Sequence, residues 1–277
     1  METIIQYFEN ISSLHRGIIL FGGIAIFWII EDFKPFVNHE YNKYAHGGIN
    51  IFFTFTTILI NFVLAFILLE VSIFVQKNNF GILNWISIQN LWFFTLVGLL
   101  LLDFFGAYLA HLVEHKIGIF WRFHLIHHTD TWIDTTSANR HHPGESVLRF
   151  LFTALGVLMV GCPFWMIFLY QSLSVVFSQI THANIAISKK TDYLLSYFLV
   201  TPDMHKVHHH YQLPYTDSNY GNIFSIWDRL FGTFKYLERE KIIYGIDTHL
   251  KKEEHNSLIN LIKIPFQAKR KPIKSND

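Results

Sequence analysis

The chain has 277 residues, a formal charge of +1 with its histidines neutral, and one cysteine, Cys162. The near-zero charge gives no whole-chain basis for binding nucleic acid, and one cysteine excludes an internal disulfide, a self-contained iron–sulfur cluster and cysteine-rich zinc sites. Charged residues make up only 16%, phenylalanine numbers 28, and mean hydropathy is +0.27, so an integral membrane protein is expected rather than a soluble domain.

Residues 1–16 are mixed in character and suit a short interfacial helix. No basic segment and small-residue cleavage site open the chain, so no cleavable signal peptide is expected. Gly17 to Ile30 is apolar for about 14 residues and reaches spanning length by borrowing from Ile11 onward. A polar connection broken by Pro35 follows, and then Ile49 to Val75 is the clearest span. After the polar turn 76–90, Leu91 to Ala110 forms the next span and carries Asp103. Residues 111–146 are polar and rich in histidine. Val147 to Ile187 is apolar for about 40 residues, which suits two crossings folded as a hairpin at Gly161-Cys162-Pro163. The remainder is polar and basic, apart from the amphipathic stretch Tyr193 to Val200, which is too short to cross.

The expected architecture is an all-α integral membrane protein with about four transmembrane helices, including a C-terminal helical hairpin, capped by a cytosolic histidine-rich helical domain. Lys116, Arg122, Arg140 and Arg149 mark the histidine loop, and Lys189, Lys190 and Lys269-Arg270-Lys271 mark the tail, against Lys77 alone in the 76–90 turn. This bias puts the histidine loop, the tail and the 31–48 connection together on the cytosolic face. The membrane would be the cell inner membrane in a bacterium or the endoplasmic reticulum in a eukaryote.

Twelve of the seventeen histidines fall between 111 and 210. Eight form three clusters: His111 and His115; His124, His127 and His128; His205, His208 and His209. Spacings of three and four put side chains on one helical face, so each cluster turns its imidazoles in one direction. Buried imidazoles without partners would cost desolvation, and eight exceed what one ion takes. Two metals are expected, with iron the best fit for a dinuclear redox centre. His142 and His182 are candidates to complete the ligand set. Glu114, Asp103, Asp130 and Asp203 are expected as outer partners that fix ring tautomers. His15, His39, His46, His249 and His255 read as isolated polar residues, and His141 and His210 as incidental neighbours of the clusters.

At these residues the sequence resembles the fatty acid hydroxylase/sterol desaturase superfamily of membrane di-iron oxygenases. The similarity includes Trp121-Arg122-Phe123-His124, Thr201-Pro202-Asp203-Met204-His205, His182-Ala183-Asn184, Thr216-Asp217-Ser218-Asn219-Tyr220-Gly221 and Trp227-Asp228-Arg229-Leu230-Phe231-Gly232-Thr233. His141, where an aromatic residue is expected, and the third consecutive histidine, His210, depart from the pattern. The resemblance implies two Fe ions ligated by the eight cluster histidines, O2 as co-substrate, and hydroxylation or desaturation of an unactivated C–H bond in a lipid such as a sterol, fatty acyl or alkyl lipid. It covers a catalytic domain at 95–240, between membrane spans at 1–94 and a basic cytosolic tail at 241–277. No Gly-rich flavin or nicotinamide fingerprint is present, so electrons are expected from a separate donor protein of reductase, cytochrome b5 or ferredoxin type. The alternative is a membrane metal transporter or metal-storage protein, which would place ligands at mid-membrane along a pathway. A zinc hydrolase is disfavoured because no carboxylate is placed as its base.

Overall fold

A computed structural model describes residues 1–38 and 41–272, and its regular elements are all helical; His39 and the last five residues of the expected tail lie outside the described residues. Short helix α1 (Glu2–Glu9) precedes α2 (Ser13–Ile30), in which a π-turn at Ile18–Gly22 joins the segment before Gly17 to the apolar run after it. The long α3 (Lys43–Asn78) starts where the Asn42 side chain accepts the Ala45 N–H at 3.0 Å. Its 36 residues extend about 54 Å, well beyond a hydrocarbon core of about 30 Å. Next come α4 (Leu91–Lys116), α5 (Gly118–His128), α6 (Pro143–Val160) and α7 (Phe164–His182). The smaller α8 (Lys189–Leu195) and α9 (Pro202–His208) complete the elements that matter for the site.

Among the described residues, five helices are long and apolar enough to cross a membrane: α2, the stretch from Lys43 to Trp85 that contains α3, and α4, α6 and α7. They are the stretches read in chain order from the sequence, the first of them extended toward Ile11, and they number one more than the about four of the expected architecture. Phe55, Phe62 and Phe66 of α3 are exposed, as side chains facing lipid would be.

Contacts at the two ends of the bundle show which connections lie together. At one end, Glu31 Oε1 accepts the N–H groups of Thr135 (2.7 Å) and Asn184 (3.0 Å), tying the 31–48 connection to the histidine loop and to the chain after α7. At the other end the 76–90 turn meets the α6–α7 turn. There Gly161 has φ +73°, and a Cβ on it would fall 2.3 Å from the Phe80 carbonyl oxygen. Only glycine accommodates both the left-handed backbone and this approach.

Two apolar cores hold these parts together. Leu102, Val157, Val160, Trp165, Met166 and Tyr170 fill the first, with Ile5 and Phe8 of α1 packed against it. Phe53, Leu125, Ile126, Ile246, Leu261 and Ile264 form the second. Burying a large aliphatic side chain contributes about 1.5–3 kcal/mol, so the last three anchor residues 241–272 to the body. The buried Arg140 guanidinium adds a hydrogen bond to the His255 carbonyl at 2.6 Å. The described part of the tail is therefore a packed element.

Candidate metal centre

The histidines meet because four helix ends converge. His111 and His115 occupy the last turns of α4. Ile117 leaves the helical conformation (φ −104°, ψ 110°), so α5 folds back and brings His124 beside His111. Thr201 caps α9 by accepting the Met204 N–H, with Pro202 in the first helical position. His182 closes α7.

Two groups result. His111, His115, His124, His128 and His208 form one, and His127, His182, His205 and His209 the other; within each, one ring nitrogen per residue lies within 4.8 Å of the rest. All nine residues are buried. The repeated spacing explains the division: residues four apart share a helical face, and the residue between them at three points partly aside. His124 and His128 thus enter the first group while His127 enters the second. His205 and His209 enter the second while His208 enters the first.

The nitrogens fit metal ions better than one another. His124 Nε2 lies 3.2 Å from Nε2 of both His111 and His128. His182 Nε2 lies 3.2, 3.0 and 3.3 Å from Nε2 of His127, His205 and His209. One imidazole nitrogen carries at most one proton and cannot satisfy three nitrogens. Ligand atoms at bond lengths of about 2.0–2.1 Å in a tetrahedral shell stand about 3.3 Å apart, which is the spacing seen. The buried Nε2 atoms of His115 and His208 have no hydrogen-bond partner at all.

Outer contacts turn the rings. The Nδ1–H groups of His111, His208 and His182 donate to the carbonyls of Tyr220 (3.0 Å), Ser218 (2.7 Å) and Ser178 (2.7 Å). His115 and His124 donate to Asp217 (3.2 Å) and Glu145 (2.8 Å). Such contacts fix the tautomer that leaves Nε2 bare for a metal. Burial, reinforced by neighbouring imidazoles, holds His124, His127, His128, His205, His208 and His209 well below the ordinary histidine range. They are neutral at pH 7, the form that ligates. Burial alone would raise Asp217, but hydrogen bonds from His115 and Lys116 bring it down to about 2. A cavity of about 40 Å³ reaches both groups at His111, His127 and His205 and is completed by Arg149, Ser178 and Asn222. It exceeds the volume one water needs.

His182 stands within the second group. His142 does not join either one: it caps α6, its Nδ1 accepting the Gly144 N–H at 3.0 Å, and its ring packs against Phe123 and Phe266. The neighbouring His141 instead stacks on His127 at 5.0 Å and bonds Glu145. Of the four expected outer carboxylates, Glu114 comes nearest a cluster histidine, 3.7 Å from His124 Nδ1, and is bound by Arg149 at 2.6 Å. Asp130 is turned to His46, Asp203 to Arg239, and Asp103 to the backbone of Ile223 and Phe224. Each has its donors elsewhere and makes no side-chain hydrogen bond to a cluster ring. Glu145 and Asp217 fill the role expected of those three. Glu145 carried a usable signal, since it lies at the start of a helix opened by His142-Pro143. The carbonyl acceptors leave no trace in residue type.

The family profile described as fatty acid hydroxylase matches residues 95–233, half of the chain and all nine grouped histidines. The chain belongs to the fatty acid hydroxylase family. Within this family it is 28% identical over 142 residues to the ornithine lipid hydroxylase OlsE of Rhizobium tropici, covering 51% of this chain and 42% of that protein. It is 29% identical over 166 residues to the alkylglycerol monooxygenase of Caenorhabditis elegans, covering 59% and 30%. The human alkylglycerol monooxygenase is 30% identical over 145 residues, covering 52% and 31%. The chain thus spans less than half the length of these curated relatives. No solved structure matches it.

Proposed function

We propose that this protein is a multi-pass membrane oxygenase that uses O2 to hydroxylate an unactivated C–H bond of a lipid, with two iron ions held by the nine grouped histidines. The observation that carries the reading is the pair of buried imidazole groups sharing one cavity, within a chain of this family. Nine nitrogens around two foci exceed the four that a structural zinc needs. Iron bound there would supply the redox chemistry that reduces O2 and attacks the C–H bond.

The balanced reaction takes a lipid C–H, O2, two electrons and two protons to C–OH and water. Electrons come from a separate donor protein. The chain's own residues hold the Nε2 atoms of His111, His115, His124, His182 and His208 in place through Nδ1 contacts, and the small cavity limits bulk water beside the reacting carbon. Arg149, bound to Glu145 and Glu114, gives one cavity wall a fixed polar edge. The relatives named for ornithine lipid and alkylglycerol favour hydroxylation over desaturation and a substrate that joins a polar head to a long chain. We place the catalytic domain at 95–240 and the site on the cytosolic face, where the Lys and Arg bias puts it. A transport reading is disfavoured because the ligands close around two points at helix ends and form no path.

The test is purification in detergent, metal analysis, and O2 uptake with a lipid extract and a chemical reductant. About two irons per chain and lipid carrying one 18O atom from 18O2 are expected. Tightly held zinc with no oxidised lipid would overturn the reading.

A further inference from the structure

Two rings of the five-histidine group are oriented by a single loop. The Ser218 carbonyl takes the Nδ1–H of His208 and the Tyr220 carbonyl that of His111. A carbonyl orients a ring only as well as its own peptide is held. This loop is held by two carboxylates, both fully buried. Asp228 accepts the N–H groups of Tyr220 (2.7 Å) and Gly221 (2.9 Å). Asp103 accepts those of Ile223 (3.2 Å) and Phe224 (3.1 Å). Four amides in five residues are thus tied to carboxylate oxygens, which leaves the loop little freedom.

The sequence around each carboxylate is shaped to this task. Asp103 and His111 lie on one helix, and the π-turn at Phe104–Tyr108 between them resets the register. Asp103 thus meets the loop's amides while His111 meets its carbonyl. Asn219 takes a left-handed conformation (φ 54°) and bonds the Met204 carbonyl at 2.8 Å, fastening the loop to α9. A Cβ on Gly221 would fall 2.9 Å from Asp228 Oδ2, so a larger residue would push the carboxylate off its amides. In the four-histidine group the His182 ring is oriented elsewhere, by the Ser178 carbonyl of α7.

We propose that Asp103 and Asp228 are positioning residues for the five-histidine group alone, acting through the Ser218–Phe224 loop. The proposal rests on the two-ion reading above, and its consequence is asymmetric: loosening either carboxylate weakens one metal and spares the other.

The experiment is anaerobic titration of the full-length, metal-free protein in detergent with ferrous iron against a competing chelator. Wild type is expected to bind two equivalents; fewer would sink the two-ion reading and this proposal with it. Asp103→Asn and Asp228→Asn are expected to bind one equivalent at wild-type affinity and the second about ten- to hundredfold more weakly. Asp134→Asn removes an equally buried carboxylate that touches no part of the loop, and both equivalents should stay unchanged. Asp103→Asn keeps an oxygen for one amide, so it decides the matter if Asp228→Asn does not fold. Two equivalents at wild-type affinity in the Asp103 variant, equal weakening of both, or the same one-site loss in Asp134→Asn would each overturn the proposal.

Discussion

His124 donates its Nδ1–H to Glu145 across 2.8 Å, and the same carboxylate oxygen takes the Nε–H of Arg149 at 2.9 Å. A cluster histidine is thereby coupled to a buried charge network that includes Glu114. Glu145→Gln keeps the shape but removes the negative charge that favours a cation at His124 Nε2. Iron affinity is expected to fall about ten- to hundredfold, as for other outer partners of metal-bound imidazoles. Chelator competition measures it. Unchanged affinity would reduce Glu145 to a partner of Arg149 and His141.

His127 and His142 lie fifteen positions apart and should respond in opposite ways. His127→Ala removes a nitrogen aimed at His182 Nε2, so bound metal and activity should both be lost while membrane insertion persists. His142→Ala removes a helix cap, which costs about 0.5–2 kcal/mol of stability, and should leave the metal content intact. Metal analysis with thermal unfolding in detergent separates the two. Metal loss in His142→Ala would return that residue to the ligand set.

The contrast also shows what was legible from sequence. The hairpin break at Gly161-Cys162-Pro163 could be read because glycine and proline act locally, and α6 and α7 stop and start on either side of it. The eight cluster histidines could be read because i, i+3, i+4 spacing is a property of one helix. Which rings share a group depends on how four helix ends meet, and no local pattern encodes that. Asp103 reads as a partner of the rings because a carboxylate in an apolar helix is costly, and Asp130 because it flanks a cluster, yet neither signal says which donor the carboxylate meets. Asp103 found amides some 120 residues away.

Acid should destabilise the metal-free protein. His124, His127, His128, His205, His208 and His209 are held below the ordinary value of 6.5 by burial first and by one another second. Below pH 6.5 the unfolded chain takes up protons that these folded rings refuse, so stability falls as pH falls. Their contribution is complete above 6.5 and is lost progressively below it. Unfolding temperature of the metal-free protein should drop steeply between pH 7 and 5, and bound metal should resist the drop because it occupies the same nitrogens. A flat profile over that range would show the rings to be open to solvent.

His46, read from sequence as an isolated polar residue, bridges two buried carboxylates, with Nε2 at 2.9 Å from Asp130 and Nδ1 at 3.0 Å from Asp134. Burial would raise both aspartates, but the His46 ring, helped by Arg140 and Ser137 at Asp130 and by Thr136 and Tyr41 at Asp134, holds each below the usual carboxylate range. Removing the ring leaves two buried carboxylates without their cationic partner, each either stranded as a charge or forced to take up a proton. Stranding buried charge in this way costs about 3–5 kcal/mol, so His46→Ala should unfold at a clearly lower temperature. His46→Gln keeps one donor and should recover part of the loss. A shift below about 1 kcal/mol in the alanine variant would mean that water or Arg140 already neutralises the pair, since a bridge that strands no charge on removal has little to lose.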